Sequence, residues 1–228
     1  MNKFNLLSVN QDAKTIKGLG QGFLTGILYL APAEESGFQV CPKSSAGCRE
    51  SCLYSAGRGA FSNVKNARIK RTTKFFKDRE NFLKDLVMDI EILNIQAKRL
   101  GLTPCVRLNG TSDIDWQTIK TENGLNMIER FKDIQFYDYT KFKNRKPNFE
   151  NYHLTYSRSE VDSDQDIEEV IKTGLNVAVV FNSIPAEWLG YRVISGDISD
   201  TRFKDPRGVI IGLKAKGKAR RDKTGFVV

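Results

Sequence analysis

Seven short apolar runs divide the 228-residue chain and limit the folds that it can adopt. Several of them are continuous rather than alternating, which is typical of strands that are covered on both faces of a parallel sheet. The runs are residues 26–30, 105–109, 135–139, 152–156, 176–181, 192–194 and 208–213.

Amphipathic stretches lie between these runs. Apolar residues at spacings of three, four and seven predict a long helix from Ser62, as its N-cap, to Leu100, with Gly101 as its stop and a new start near Asp78. Shorter helices are predicted over 125–131 and 164–172, the latter ended by Gly174.

The alternation of strand and helix predicts an α/β fold with parallel strands. Seven strands suit a small or partial (β/α) barrel better than a full eightfold barrel, which typically needs about 250 residues. No linker stands out, so we expect one domain over residues 1–228. No run of 18 apolar residues exists, so we expect no membrane-spanning segment, and the first residues do not resemble a secretion signal.

Three of the four cysteines lie within a dozen residues, in a predicted cluster loop over residues 33–60 that follows the first strand. Clustered cysteines in an intracellular chain are more often metal ligands than disulfides. Thiolates of Cys41, Cys48 and Cys52 would suit a [4Fe-4S] cluster, and three cysteines leave one iron open to water, a protein ligand or a small-molecule substrate.

Zinc and unliganded thiols are the alternatives. Structural zinc takes four ligands, and the fourth would have to be Cys105 or His153. Both residues begin predicted strands, so we expect Cys105 roughly 13 Å from the loop, at the opposite end of its strand. We expect Cys105 and His153 to be core residues.

Polar residues follow most of the predicted strands, at the edge where parallel barrels carry their sites. We expect these residues to line a cavity above the cysteines: Asn109, Ser112, Asp113, Asp138, Lys141, Ser157, Arg158 and Lys214. Arg58, in a glycine-rich stretch, could bind an anion or simply lie in a turn.

The chain carries 36 Lys and Arg against 27 Asp and Glu, a formal net charge of +9. This excess favours binding of phosphates or nucleic acid, although it also suits a solvated surface. Cations crowd residues 65–79 and a basic C-terminal tail over 214–228, which reads as a mobile tail or as a phosphate clamp.

The chain resembles a family of phage-encoded proteins called gene product 88-like. The segments that carry the resemblance are 26–32, 41–42, 46–48, 52–53, 56–58, 107–114, 137–141, 151–155, 176–181 and 212–217. The resemblance implies a phage protein that acts in the host cytoplasm.

The cysteine loop is also similar to that of radical S-adenosylmethionine enzymes, which use a partial barrel. That likeness implies S-adenosylmethionine as a ligand of the open iron. The chain departs from the usual pattern, because the cysteine gaps are six and three rather than three and two. Residues 109–113 also replace a Gly-Gly-Glu-type motif.

Two functional hypotheses follow from the sequence. The first is a phage iron–sulfur protein with redox or radical S-adenosylmethionine-like chemistry on an unknown substrate. The second is a basic nucleic-acid-binding protein in which the cluster or a zinc ion is structural, and whose affinity falls steeply with salt.

Overall fold

The structure of the protein is a computed structural model that describes residues 4–11 and 13–228. Within this part of the chain nine strands form one sheet. The strands are β1 (Leu7–Val9), β2 (Phe23–Leu28), β3 (Thr103–Arg107), β4 (Gln135–Thr140), β5 (Tyr152–Ser157), β6 (Asn176–Phe181), β7 (Glu187–Trp188), β8 (Tyr191–Ser195) and β9 (Ile210–Lys214).

The sheet has the strand order β1-β2-β3-β4-β5-β6-β9-β8-β7. Neighbours from β2 through to β8 pair in parallel, whereas β1 and β7 add antiparallel edges. All seven predicted runs correspond to the parallel strands, which confirms the α/β class. The sheet does not close on itself, so the finer prediction of a radical S-adenosylmethionine-like barrel stays a prediction.

The last strands are out of sequence order, because β9 pairs with β6 on one side and β8 on the other. The sequence analysis did not anticipate this exchange. Both β8 and β9 are short apolar runs, and nothing local in either one specifies its neighbour.

Six helices accompany the strands in the described residues. They are α1 (Ala13–Leu19), α2 (Ala46–Glu50), α3 (Ser62–Lys77), α4 (Arg79–Leu100), α5 (Met127–Arg130) and α6 (Asp164–Lys172). Four short 3₁₀ turns add Leu53–Ser55, Gly57–Ala60, Arg202–Lys204 and Gly217–Arg221.

The predicted long helix is two helices that meet at Asp78, as its new start at that residue indicated. Gly101 ends α4 with φ of 66°, the left-handed conformation that glycine adopts without steric cost. The prediction for Ser62 is wrong, because the N-cap position is Phe61 and no side chain caps that end. The predicted helices α5 and α6 both begin with a capping box.

Helix α4 packs its apolar side on the outer face of the sheet. Phe82, Leu86, Ile90 and Leu93 are fully buried there. The inner face carries smaller clusters, one of which joins Phe23, Cys105 and Tyr137 to Phe203. The inner face is therefore filled at the amino end of the strands and leaves space at the carboxyl end.

The segment after β8 bridges the open side of the sheet. The hydroxyls of Ser199 and Thr201 both donate to the side-chain oxygen of Gln21, at 2.7 and 2.9 Å. Arg107 of β3 also forms an ion pair with Asp200, at 3.3 Å. These contacts join the two ends of the curved sheet without a ladder of backbone hydrogen bonds.

The C-terminal segment over 214–228 contacts the sheet through its apolar residues and backbone, whereas its lysines and arginines are exposed. Val227 forms a β-bridge with Val180 of β6, and Asn182 donates its backbone N–H to the carbonyl of Val228 at 2.8 Å. Phe226 is buried. None of the described helices is long and apolar enough to cross a membrane.

Candidate functional site

A cavity of about 300 Å³ opens at the carboxyl end of the parallel strands. Its floor is formed by inward-facing residues near the ends of five strands, where the curved sheet leaves room. These residues are Arg107, Tyr139, Ser157, Val180 and Leu213. Its volume lies at the lower end of the range typical of small-molecule sites.

Cys41, Cys48 and Cys52 all line this cavity, as the sequence predicted. Cys41 donates its thiol to the carbonyl of Thr111 at 3.6 Å, which joins the cysteine loop to the segment after β3. Cys48 lies in α2, whose N-cap Ser45 accepts the backbone N–H of Cys48 at 3.2 Å. The three cysteines are free thiols.

Glu160, from the segment after β5, fixes the start of α2. Its carboxylate accepts the hydroxyl of Ser45 at 2.6 Å and the backbone N–H of Gly47 at 2.7 Å. An anionic side chain at the exposed N–H groups of a helix start is a stabilising arrangement. The cysteine loop is therefore held to the sheet by a charged hydrogen-bond acceptor.

The pKa of the Cys41 thiol is raised to about 12, mainly by burial and to a smaller extent by the neighbouring Cys52 and Cys48. Burial also raises the pKa of Cys48 and of Cys52. Two cations oppose the shift, because Lys141 lowers the pKa of Cys48 and Arg68 lowers that of Cys52. Without a bound cation the three thiols therefore stay protonated near neutral pH.

No group of three His, Cys, Asp or Glu side chains in the described residues is arranged to hold a metal ion. The two residues weighed as a fourth zinc ligand lie elsewhere. Cys105 is fully buried beside the Thr25 hydroxyl, at 3.2 Å. His153 lies near Thr155, at 3.4 Å, and burial lowers its pKa to about 4. Neither residue lines the cavity.

The segment from Asn109 to Trp116 forms one wall and satisfies its own polar groups. The side-chain oxygen of Asn109 accepts the Ser112 hydroxyl at 2.8 Å, the backbone N–H of Ile114 at 3.0 Å and the indole N–H of Trp116 at 3.2 Å. Asn109 and Ser112 therefore line the cavity as predicted, but their polar atoms are already engaged.

Asp113 lines the cavity as well, with its carboxylate turned to neighbouring cations and backbone. One oxygen pairs with Arg145 and the other accepts the backbone N–H of Lys141 at 2.8 Å. Asp113 thus holds the ends of β3 and β4 together.

Lys141, Ser157 and Lys214 also line the cavity. The Lys141 ammonium donates to the carbonyls of Ser157 and Arg158, at 3.0 and 3.1 Å, and lies over the ring of Phe226. All of these partners are neutral. Among the described residues no carboxylate forms an ion pair with Lys141 or with Lys214.

Three predicted site residues do not line the cavity. Arg58 donates to the carbonyl of Gln11 at 2.7 Å. Arg158 donates to the carbonyls of Gly225 and Phe226 in the C-terminal segment. Asp138 is buried on the opposite face of β4 from Tyr139, because successive side chains of a strand alternate.

Asp138 accepts the backbone N–H of Asn109 at 2.6 Å and the hydroxyl of Tyr152 at 3.2 Å. Burial raises the pKa of Asp138 to about 7, although both hydrogen bonds oppose the shift. The residue therefore stabilises the loop after β3 from behind the sheet.

A family model described as gene product 88 matches residues 5–228 of the chain. The chain belongs to the gene product 88 family. This confirms the prediction of a phage-type gene product. No curated protein and no solved structure matches this chain.

In this member of the gene product 88 family the sequence analysis missed several cavity residues. Arg107 and Tyr139 lie inside predicted strands, where alternation would have found them once the inner face was known. Asp197 follows a predicted strand and Lys216 lies in the predicted basic tail, but nothing in the sequence indicated that they meet Lys17 at one cavity.

Proposed function

We propose that the protein binds a [4Fe-4S] cluster through Cys41, Cys48 and Cys52. The observation that carries the proposal is that all three thiols line one wall of a single cavity. Thiolates are the ligands that iron–sulfur clusters use. Both polar and apolar side chains line the rest of the cavity, as is typical of sites that bind a small molecule.

The arrangement suits a cluster better than a zinc ion. Structural zinc takes four protein ligands, and the described residues offer no fourth cysteine or histidine at the cavity. Three cysteines suffice to hold an iron–sulfur cluster with one iron left open.

Charge around the thiols also favours a cluster. A [4Fe-4S] cluster in its oxidised state with three thiolates carries one negative charge overall. The Lys141 ammonium has only neutral oxygen partners in the described residues, and it acts on Cys48. Arg68 acts on Cys52 in the same sense. These two cations would stabilise the thiolates once the protons have left.

When bound, the cluster would supply one-electron transfer to a molecule in the cavity. The residues of the chain would hold that molecule between the cysteine wall and the lysines of the opposite rim. The C-terminal segment would limit access of water, since Phe226 and Ala219 both line the cavity. The proposed activity is therefore the reduction of a small molecule, or radical chemistry on it.

The experiment is anaerobic purification followed by iron, sulfide and zinc analysis and a visible spectrum. We expect about four irons and four sulfides in each chain. Single variants Cys41→Ser, Cys48→Ser and Cys52→Ser should lose most of the iron. The matched control is Cys105→Ala, which removes a cysteine outside the cavity and should keep the iron.

A folded wild-type protein that holds one zinc, or no metal after reconstitution with iron and sulfide, would overturn the proposal. Equal iron in Cys105→Ala and in the three loop variants would do the same, because the loop would then not be the binding site.

S-adenosylmethionine is one molecule that an open iron could bind. Residues 109–116, which replace the usual Gly-Gly-Glu-type motif, make hydrogen bonds mainly to one another. Formation of 5′-deoxyadenosine by the reduced, cluster-loaded protein would support S-adenosylmethionine as the ligand. An intact cluster without that product would count against it.

The nucleic-acid alternative has weaker support from the basic residues of α3 and the start of α4. Several of these cations contact residues of the chain itself. Arg68 lies over the rings of Tyr29 and Tyr54, and Lys74 pairs with Asp85 at 2.6 Å. Binding of DNA or RNA that weakens steeply with salt would restore this alternative.

A further inference from the structure

Lysines gather on the rim of the cavity, where the segment after β8 meets α1 and the end of β9. The ammonium groups of Lys17 and Lys216 both contact Asp197, the first at its carbonyl and the second at its carboxylate. Lys214 donates its backbone N–H to the other carboxylate oxygen at 2.9 Å. All four residues line the cavity.

The rim has a net positive charge, because its lysines outnumber its one carboxylate, that of Asp197. Lys17, Lys214 and Lys216 line the cavity at this rim against one acid, Asp197, which leaves an excess of two positive charges. The ammonium groups of Lys17 and Lys216 act on Asp197, whereas Lys214 contacts it through its backbone N–H. Asp197 is held ionised, because burial raises its pKa but the contacts with Lys216 and Lys214 lower it below its usual value.

The other two carboxylates that line the cavity do not offset this excess. Asp113 pairs with Arg145, and Asp200 pairs with Arg107. Both acids are therefore matched by arginines. A ligand with two negative charges would complete the balance at the rim.

Between the rim and the cysteines the cavity wall is mainly apolar. Tyr139, Val180, Leu213 and Phe226 line it there. A ligand that spans the cavity therefore needs an anionic end and an apolar or aromatic body. Lysine ammonium groups bind phosphate as point charges, whereas a carboxylate is matched more closely by the planar fork of arginine.

We propose that the cavity binds a phosphomonoester, with its phosphate on Lys17, Lys214 and Lys216 and its organic body directed toward the three cysteines. The direction of the organic body toward a redox centre rests on the proposed cluster. The phosphate contacts do not depend on the cluster, because the lysines belong to other segments of the chain.

The test measures the binding of phenyl phosphate, a phosphomonoester on an aromatic ring, by calorimetry at low salt. We expect anaerobically purified wild-type protein to bind it more tightly than inorganic phosphate. The variant Lys214→Gln/Lys216→Gln should weaken binding by about tenfold or more, since it removes two cations that would donate charged hydrogen bonds to the phosphate. The matched control is Lys77→Gln/Lys98→Gln, which removes two exposed helical lysines and should bind like the wild type.

A second variant separates charge from structure. Asp197→Asn removes the acid that competes with the phosphate, while its amide oxygen can still accept the backbone N–H of Lys214. We expect binding several-fold tighter than in the wild type. Equal affinity in the wild type and in Lys214→Gln/Lys216→Gln, or weaker binding in Asp197→Asn, would overturn the proposal.

The same samples distinguish this inference from the cluster. A wild-type protein without iron that binds phenyl phosphate through the lysines would refute the cluster and support the phosphate site. An iron-loaded protein whose affinity ignores the lysine substitutions would support the cluster and refute the phosphate site.

Discussion

The carboxylate of Glu160 accepts the backbone N–H of Gly47 at 2.7 Å, and the two residues are 113 positions apart in the chain. This contact joins the helix that carries Cys48 to the segment after β5. Together with the contact of the Cys41 thiol with Thr111, it holds the cysteine loop to the sheet.

Glu160→Gln should loosen the cysteine loop. An amide offers one acceptor oxygen where the carboxylate offers two, so either Ser45 or Gly47 loses its partner. We expect a loss of about 1–2 kcal/mol in unfolding free energy and faster loss of iron to a chelator. The control is Glu50→Gln at the end of α2, the helix that Glu160 contacts, because the Glu50 side chain is exposed. Equal chelation rates in the two variants would contradict this prediction.

Gly47→Ala should disturb the packing of the C-terminal segment. A Cβ at this position would lie 2.2 Å from the Thr224 hydroxyl oxygen and 2.8 Å from Cβ of Phe226, so that segment must move. We expect about 1–3 kcal/mol of destabilisation in thermal or urea unfolding. Gly20→Ala is the control, because a Cβ there meets only the carbonyl of Lys17 at 3.7 Å. Unchanged stability in Gly47→Ala would show that the segment is not packed on α2.

The protein should lose stability as pH rises from about 4 to about 7 because of Asp138. Its pKa is about 7 in the folded chain and about 3.9 when unfolded, so the folded state keeps a proton that the unfolded state releases. The stabilisation is complete below the unfolded pKa and is lost as pH rises through the folded pKa. We expect a fall of a few kcal/mol in the unfolding free energy.

Asp138→Asn should remove this component of the pH dependence, since an amide does not titrate in the range. Urea unfolding at several pH values measures it. Asp133→Asn, at an exposed position, is the control and should keep the wild-type slope. If the unfolding free energy changed with pH equally in Asp138→Asn and in the wild type, the prediction would be wrong.

Asp200→Asn should destabilise the floor of the cavity strongly. Arg107 and Asp200 have side chains that are 7% and 11% exposed, and Tyr137 also donates to Asp200 at 3.1 Å. Loss of one partner of a buried ion pair costs about 3–5 kcal/mol, because the other charge stays buried. The double variant Arg107→Met/Asp200→Asn should be less destabilised than the sum of its single variants.

The control for this pair is Glu168→Gln, which breaks an exposed ion pair with Lys172. We expect a change within about 0.5 kcal/mol there. Unfolding in urea compares the wild type, the two single variants, the double variant and Glu168→Gln. A small effect of Asp200→Asn, similar to that of Glu168→Gln, would mean that the buried pair does not stabilise the fold.

Local sequence patterns predicted most strands and helices, because hydrophobic periodicity and the residues that end a helix act within a few positions of the chain. Gly101 illustrates this, since only its own backbone conformation ends α4. The cysteine loop was also visible, because its three thiols lie close together in sequence. The prediction that Asp138 lines the cavity was wrong, and the reason is also local. Asp138 and Tyr139 are adjacent, and in a run with few polar residues the sequence does not say which of them faces inward.

The order of the last strands had no local signal, and the lysine rim of the cavity had none beyond the excess of cations over residues 214–228. Lys17 and Asp197 are 180 residues apart, and their contact depends on the segment after β8 crossing the open side of the sheet. Lys216 joins them because β9 pairs with β8, which places the residues after β9 beside the segment after β8. A pattern analysis along the chain cannot detect such a meeting.

The sequence by itself therefore determined the α/β class, the parallel strands and the three thiols that follow the first of them. These features depend on hydrophobic spacing and on residues that are neighbours in the chain. Only the tertiary structure decided that the sheet stays open and that lysines from distant segments line the same cavity as the three cysteines. Those features depend on strand pairing and long-range contacts, whose free energy is gained only when distant segments pack together.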